Sequence, residues 1–298
     1  MIRLAWLPIA LLLAVAGCGS EDSAARGGTL TVVATTTQVG DFARNVAGSD
    51  VHVVQLLAAN ADPHEYEVRP QDVKALSDAD LILRSGGEID DWLDQAIDGS
   101  GTDAPVVTLS DGIQMDGDDP HWWQDPRNAI AAVGEIRAAL ERADAAHKAD
   151  YDANAKAYTA RLRKLDGQVA ACIDKVPAAQ RKLVTTHDAL GYYARRYGIE
   201  VIGTVIPSLS TQGQPSAGDT AKLIGTIRET GVKAIFAESS VNPKVEAAIA
   251  RETGAKVGKA LWADALGPKG SDGATYIDSI KSNTAALVDG FSGGSVHC

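Results

Sequence analysis

Six histidines, at positions 52, 64, 121, 147, 187 and 297, are the side chains of this sequence best suited to binding at neutral pH, because a neutral imidazole is the commonest metal ligand. Three of them occupy comparable places. His64 follows a predicted strand, within Asp62-Pro63-His64-Glu65-Tyr66-Glu67. His121 lies in Asp119-Pro120-His121-Trp122-Trp123-Gln124-Asp125-Pro126, just before a helix start, and His187 ends the run Leu183-Val184-Thr185-Thr186. Each alone reads as an ordinary loop histidine. Together, at strand exits and in proline-stiffened loops, they point to metal ligation, since rigid backbone spares the donors the entropy of being ordered on binding. Two carboxylates sit in analogous places: Glu238 after Ala234-Ile235-Phe236-Ala237, and Asp264 after Leu261-Trp262-Ala263. Each by itself also suits a helix N-cap or a solvated loop charge. A Zn²⁺ on three neutral imidazoles and one carboxylate keeps a charge of +1, and a second carboxylate nearby brings the local sum to zero, which eases burial. Spacing adds nothing diagnostic, because neither HxxxH nor CxxC occurs. Two chemistries stay open: a closed binding site, or a zinc hydrolase in which Glu238 acts as general base on a metal-bound water. Catalysis needs an open coordination position, and four protein ligands would fill it.

These residues must be held by alternating strands and helices. Leu30–Thr35, Val51–Leu57, Asp80–Leu83 and Pro105–Leu109 read as strands, with helices over Val39–Ala47, Pro70–Ala79 and Glu88–Ile97 between them. Asp125-Pro126 opens a helix, Asp capping and Pro fitting the first turn. From there to Val176 the chain is Ala-rich with few breakers; a single helix over Asp144–Asp174 would be about 46 Å long, a strut between lobes. A second alternation follows: strands Lys182–Thr186, Glu200–Ile206, Lys233–Ala237 and Lys256–Leu261, and helices over Asp188–Tyr197, from the capping box at Ser216 to Gly231, from Asn242-Pro243, and over Ala274–Phe291. The pattern predicts an α/β protein of two lobes, each a mostly parallel sheet flanked by helices, joined by one long backbone helix. The expected boundaries are 29–143 for the first lobe, 144–176 for the linking helix and 177–298 for the second. In such sheets ligands bind beyond the carboxyl ends of the strands, where the three histidines lie.

Arg3, the apolar run Leu4–Ala16 and the small residues before Cys18 form a secretory signal over residues 1–17. The run is too short to span a bilayer, which takes about 20 residues. Val15-Ala16-Gly17-Cys18 matches a bacterial lipobox, making Cys18 the lipidated first residue of the exported chain and 18–28 a small, polar tether. Export places Cys172 and Cys298 in an oxidising compartment, where they are candidates for a disulfide. The 298 residues carry 28 Lys+Arg against 39 Asp+Glu, a net charge of −11, with 45% hydrophobic residues. That is a globular composition whose sign makes nucleic acid and anionic membrane surfaces poor partners and suits a cation.

The three histidine segments, the last continuing as Thr186-His187-Asp188-Ala189-Leu190-Gly191-Tyr192-Tyr193, resemble the solute-binding lipoproteins of zinc and manganese ABC importers, in their ZnuA/TroA/AztC-like branches. So do Gln214-Pro215-Ser216-Ala217, Glu238-Ser239-Ser240-Val241-Asn242-Pro243-Lys244 and Asp264-Ala265-Leu266-Gly267. The resemblance implies metal ligands His64 and His121 from the first lobe and His187 and Asp264 from the second, with Glu238 in a supporting place. It implies a non-enzymatic, lipid-anchored monomer outside the cytoplasmic membrane that serves an ABC permease and its ATPase, with a metallochaperone as a candidate donor. Manganese-type relatives typically carry Glu where this chain has His187. Three imidazoles and one carboxylate suit Zn²⁺ over the oxygen-preferring Mn²⁺, with Mn²⁺ as the alternative cargo. The His-rich loop of many zinc-type relatives is replaced here by Ser110–Asp119, which holds Asp111, Asp116, Asp118 and Asp119. Trp122 and Trp123 are expected to pack between the lobes, His52 to be a strand residue, His147 a helix-surface residue and His297 part of a mobile terminus.

Overall fold

The computed structural model describes residues 29–298; the expected signal sequence, Cys18 and the tether lie outside them. The first lobe is built on a four-stranded parallel sheet in the order β2-β1-β3-β4, from β1 (Leu30–Ala34), β2 (Val51–Gln55), β3 (Leu81–Arg84) and β4 (Val106–Thr108). Its central strands are apolar runs because helices cover both faces: Val32, Val33, Ile82 and Leu83 have no exposed surface. The covering helices are α1 (Thr37–Ala47), α2 (Pro70–Ser77), α3 (Trp92–Ser100) and α4 (Pro126–Ala143). Thr36 caps α1 by accepting from Val39 N, and Asp125 caps α4 with Pro126 behind it. Helix α3 begins four residues after the predicted Glu88. Gly86, Gly87 and Glu88 all have positive φ there, and the buried Asp90 carboxylate takes the N–H groups of Ser85 and Gly86.

The second lobe holds β5 (Lys182–Thr185), α6 (Gly191–Tyr197), β6 (Glu200–Thr204), α7 (Ala217–Thr230), β7 (Ala234–Ile235), α8 (Lys244–Thr253), β8 (Lys256–Val257) and α9 (Tyr276–Ser292). β5 pairs with β6 and β7 with β8, all parallel, and a bridge between Thr185 and Phe236 joins the two pairs. The strands predicted over Lys233–Ala237 and Lys256–Leu261 therefore shrink to two-residue ladders. Ile235 faces Val257 but Glu238 faces Leu261, so β8 carries one extra residue, a bulge that breaks the ladder before it resumes at Leu261. Helix α9 lies so close to β7 that a Cβ at Gly290 would collide with the Phe236 ring.

The long helix is α5 (Lys148–Ile173), 26 residues and about 39 Å, shorter than the predicted Asp144–Asp174. Asp144 spends its carboxylate on His147 Nδ1 (2.6 Å) and the Tyr151 hydroxyl (2.8 Å), a local alternative to helical backbone bonding. The chain turns there through a short 3₁₀ segment, Ala145–His147, so His147 is a helix-entry residue and not one on a helix surface. α5 is bound to both lobes: Tyr158 donates to Asp41 in α1 (3.0 Å), and Asp166 holds Arg196 and Tyr197 of α6. One apolar core runs from β1 and α1 through α4 and α5 to α6 and α9, so the lobes share packed side chains instead of meeting at a bare hinge. Cys172 in α5 and Cys298 in the C-terminal tail have Cα atoms 5.6 Å apart, within the range a disulfide spans. Among the described residues no helix is long and apolar enough to cross a membrane.

Candidate metal centre

The loops after the strands converge in the cleft between the lobes. His64 sits in a 3₁₀ turn (Pro63–Glu65) beyond β2, His121 immediately before another (Trp122–Gln124), His187 just past β5, and Asp264 after the bridge residue Leu261. The repeated Asp-Pro-His shapes the first two in the same way: Asp62 Oδ1 accepts from His64 N at 2.9 Å, and Asp119 Oδ1 from His121 N at 3.0 Å. One donor atom from each of His64, His121, His187 and Asp264 fits within 4.8 Å of all the others. His187 Nε2 is 3.3 Å from His121 Nε2 and 3.3 Å from Asp264 Oδ2; Asp264 Oδ1 is 3.5 Å from His121 Nε2, and Oδ2 is 3.6 Å from His64 Nε2. A tetrahedral metal with bonds of 2.0–2.1 Å has ligand–ligand edges of about 3.3–3.4 Å. These four separations lie close to those edges, so the donors are gathered around one point.

The electrostatics agree with the geometry. Asp264 is 1% exposed, yet neither of its carboxylate oxygens has a hydrogen-bond partner, and His64 Nε2 has none either. Buried polar atoms left without partners are costly unless something satisfies them. Burial raises the Asp264 carboxyl to about 6 against the pull of the His187 and His121 imidazoles. For His187 burial acts against protonation, but Asp264 and Glu238 outweigh it and lift the imidazole to about 9. His64 goes the other way, lowered to about 3 by burial and by the two other histidines.

Behind the donors each buried imidazole is held by a carboxylate. Glu238 Oε1 accepts from His187 Nδ1 at 2.7 Å and from His187 N at 3.1 Å. This places Glu238 on the ring edge opposite Nε2, where it orients the imidazole from behind the donor set. Asp119 does the same for His121, its Oδ1 accepting from Nδ1 at 2.8 Å. The sequence reading placed Asp119 only in an acidic loop; the signal was its position two residues before the histidine in Asp-Pro-His. Of that loop's other acids, Asp116 pairs with Arg195, while Asp111 and Asp118 are exposed.

Trp122 and Trp123 are buried beside the site. Trp123 lies against the His121 ring and donates its indole N–H to Ala263 O (3.0 Å), as Gln124 does with its side-chain amide (2.8 Å). The carbonyl next to Asp264 is therefore gripped from the first lobe. Trp122 packs at a tilt against Phe42 in the core. Both tryptophans pack between elements and exclude water together. A cavity of about 410 Å³ opens beside His64, lined among others by Tyr66, Glu88, Asp91 and Asp118, and the Gln212 side chain of the second lobe reaches the His64 carbonyl across it. His52 lies exposed on β2, and His297 is in the tail near Asp289, both far from this chemistry.

Residues 32–290 match the ZnuA family, described as zinc-uptake complex component A, periplasmic. The manganese-binding lipoprotein MntA of Halalkalibacterium halodurans is 31% identical over 95% of this chain and 96% of its own length. The iron-binding protein YfeA of Yersinia pestis is 32% identical over 87% of this chain and 86% of its own. Among solved structures, the periplasmic zinc-binding protein TroA from Treponema pallidum superposes with a TM-score of 0.82 at 30% identity, covering 89% of this chain and 99% of that one. The chain belongs to the ZnuA family: it is a metal-binding substrate-binding protein of an ABC transporter, and not an enzyme.

Proposed function

From that membership we propose that the protein is the extracytoplasmic zinc receptor of an ABC importer, holding one Zn²⁺ on His64, His121, His187 and Asp264 and handing it to a membrane permease driven by its ATPase. The observation that carries this reading is the buried Asp264 carboxylate, partnerless at both oxygens and faced by three imidazole nitrogens at 3.3–3.6 Å, close to the edge length of a zinc tetrahedron. A set of three nitrogens and one carboxylate favours zinc over manganese by ligand type and by the Irving–Williams order. Glu238 and Asp119 fix the tautomers that aim Nε2 of His187 and His121 at the metal. Four protein donors leave no vacant position for a reacting water, which suits cargo that is held and released unchanged. In this reading a lipid on Cys18 anchors the protein, as a monomer, to the outer face of the cytoplasmic membrane, and Cys172 and Cys298 are paired in the exported chain.

Chelator competition on the metal-stripped protein, with zinc and manganese in parallel, tests the cargo. Tight 1:1 zinc with manganese far weaker supports the proposal. Comparable affinities would make it a dual-metal receptor, and tighter manganese would overturn the zinc reading.

A further inference from the structure

Glu246 is a buried acid that the cargo site does not use. It lies in the first turn of α8, is 2% exposed, and has no basic partner; one of its oxygens accepts the Thr186 hydroxyl proton at 2.7 Å and the other has no partner. The helix N-terminus softens the burial of its charge without explaining why an acid is there. What the bond does is visible at Thr186. With its proton committed to Glu246, the Thr186 oxygen turns its lone pairs elsewhere, and Glu238 N donates to it at 3.2 Å. Glu238 in turn holds both the backbone N–H and the ring Nδ1 of His187 through Oε1. Thr186 is itself 1% exposed, so no water substitutes along this chain of bonds.

We infer that Glu246 and Thr186 are positioning residues for the metal: through the Thr186 hydroxyl they pin the Glu238 backbone, and thereby the carboxylate that orients His187. The inference rests on the cargo-site reading above and deepens it. A serine at 186 keeps the relay; a valine of equal shape cuts it while preserving the packing, and a leucine at 246 removes the acceptor that orients the hydroxyl.

The test uses the full chain with Thr186→Val, Thr186→Ser and Glu246→Leu. It reads zinc affinity by chelator competition and the ligand-field absorption of the Co²⁺-loaded protein, which reports donor geometry. Loss of an outer-shell partner typically weakens metal binding 10- to 100-fold, so Thr186→Val and Glu246→Leu should fall by about that factor, with shifted Co²⁺ bands, while Thr186→Ser matches the wild type in both. Thr186→Val binding within about threefold of wild type, or with unshifted Co²⁺ bands, would overturn the inference, as would a Thr186→Ser variant as weak as the valine. If Glu246→Leu fails to fold by circular dichroism, the valine–serine pair decides alone. A wild-type chain that bound neither metal would overturn the cargo-site reading itself, an outcome distinct from these.

Discussion

Metal binding at this site should expel a proton at neutral pH, and the structure gives the size of the effect. In the metal-free protein His187 is lifted to about 9 and Asp264 to about 6, while His64 is lowered to about 3. A metal requires the free Nε2 lone pair of His187 and an ionised Asp264. Between the values for Asp264 and His187 binding therefore displaces one proton, from His187, and apparent affinity climbs tenfold per pH unit. At about pH 7, two units below the His187 value, affinity should be about 100-fold, or about 2.7 kcal/mol, short of its high-pH limit. Below the Asp264 value a second proton must leave and the dependence doubles. The metal-free fold depends on pH in the opposite direction. Because its folded value lies above the ordinary 6.5, protonated His187 stabilises the fold fully below that value and loses the contribution as pH rises through about 9. Calorimetric titration in two buffers of different ionisation enthalpy reads the proton count directly; one per metal is expected near neutrality. In Asp264→Asn the count at about pH 8 should drop well below one, since His187 loses the neighbour that raises it most. Affinity that stays flat from neutral to mildly alkaline pH, with no proton released, would refute the reasoning.

Two further outcomes follow from the geometry. His121→Ala and His187→Ala should each weaken zinc far more than His64→Ala, in the same chelator competition, because His64 alone borders open space, where a water can take its place. Reducing the Cys172–Cys298 bond, or replacing it by serines, should leave zinc affinity unchanged. It should lower unfolding free energy in denaturant titrations by at most about 5 kcal/mol, the chain-entropy value for the 126-residue separation it closes.

Much of the site was legible in the sequence because the chain marks it with rigid loops. Asp62-Pro63-His64 and Asp119-Pro120-His121 follow strands and cannot be helical interior, and Thr186-His187 ends a β-branched run. Positions that depend on the third dimension were not legible. Asp119, which holds a ring nitrogen, differs locally from the exposed Asp118 only in standing two residues before His121, and composition alone puts both in one acidic loop. Within Lys244–Thr253, Glu246 is buried under Thr186 while Glu252 pairs with Arg228 at the surface, a difference set by what packs over the helix. The strut was misjudged at its start because Asp144 bonds two side chains locally, and the short second-lobe ladders because a bulge leaves no trace in an apolar pattern.

If four side chains from two lobes hold one cargo ion, the ion must sit between them. Anomalous diffraction at the zinc edge from crystals of the zinc-loaded protein tests it most directly. A single strong peak is expected about 2.0–2.1 Å from Nε2 of His64, His121 and His187 and within bonding distance of Asp264. A peak elsewhere, at the acidic Ser110–Asp119 segment or a surface histidine, with none between these four, would contradict it.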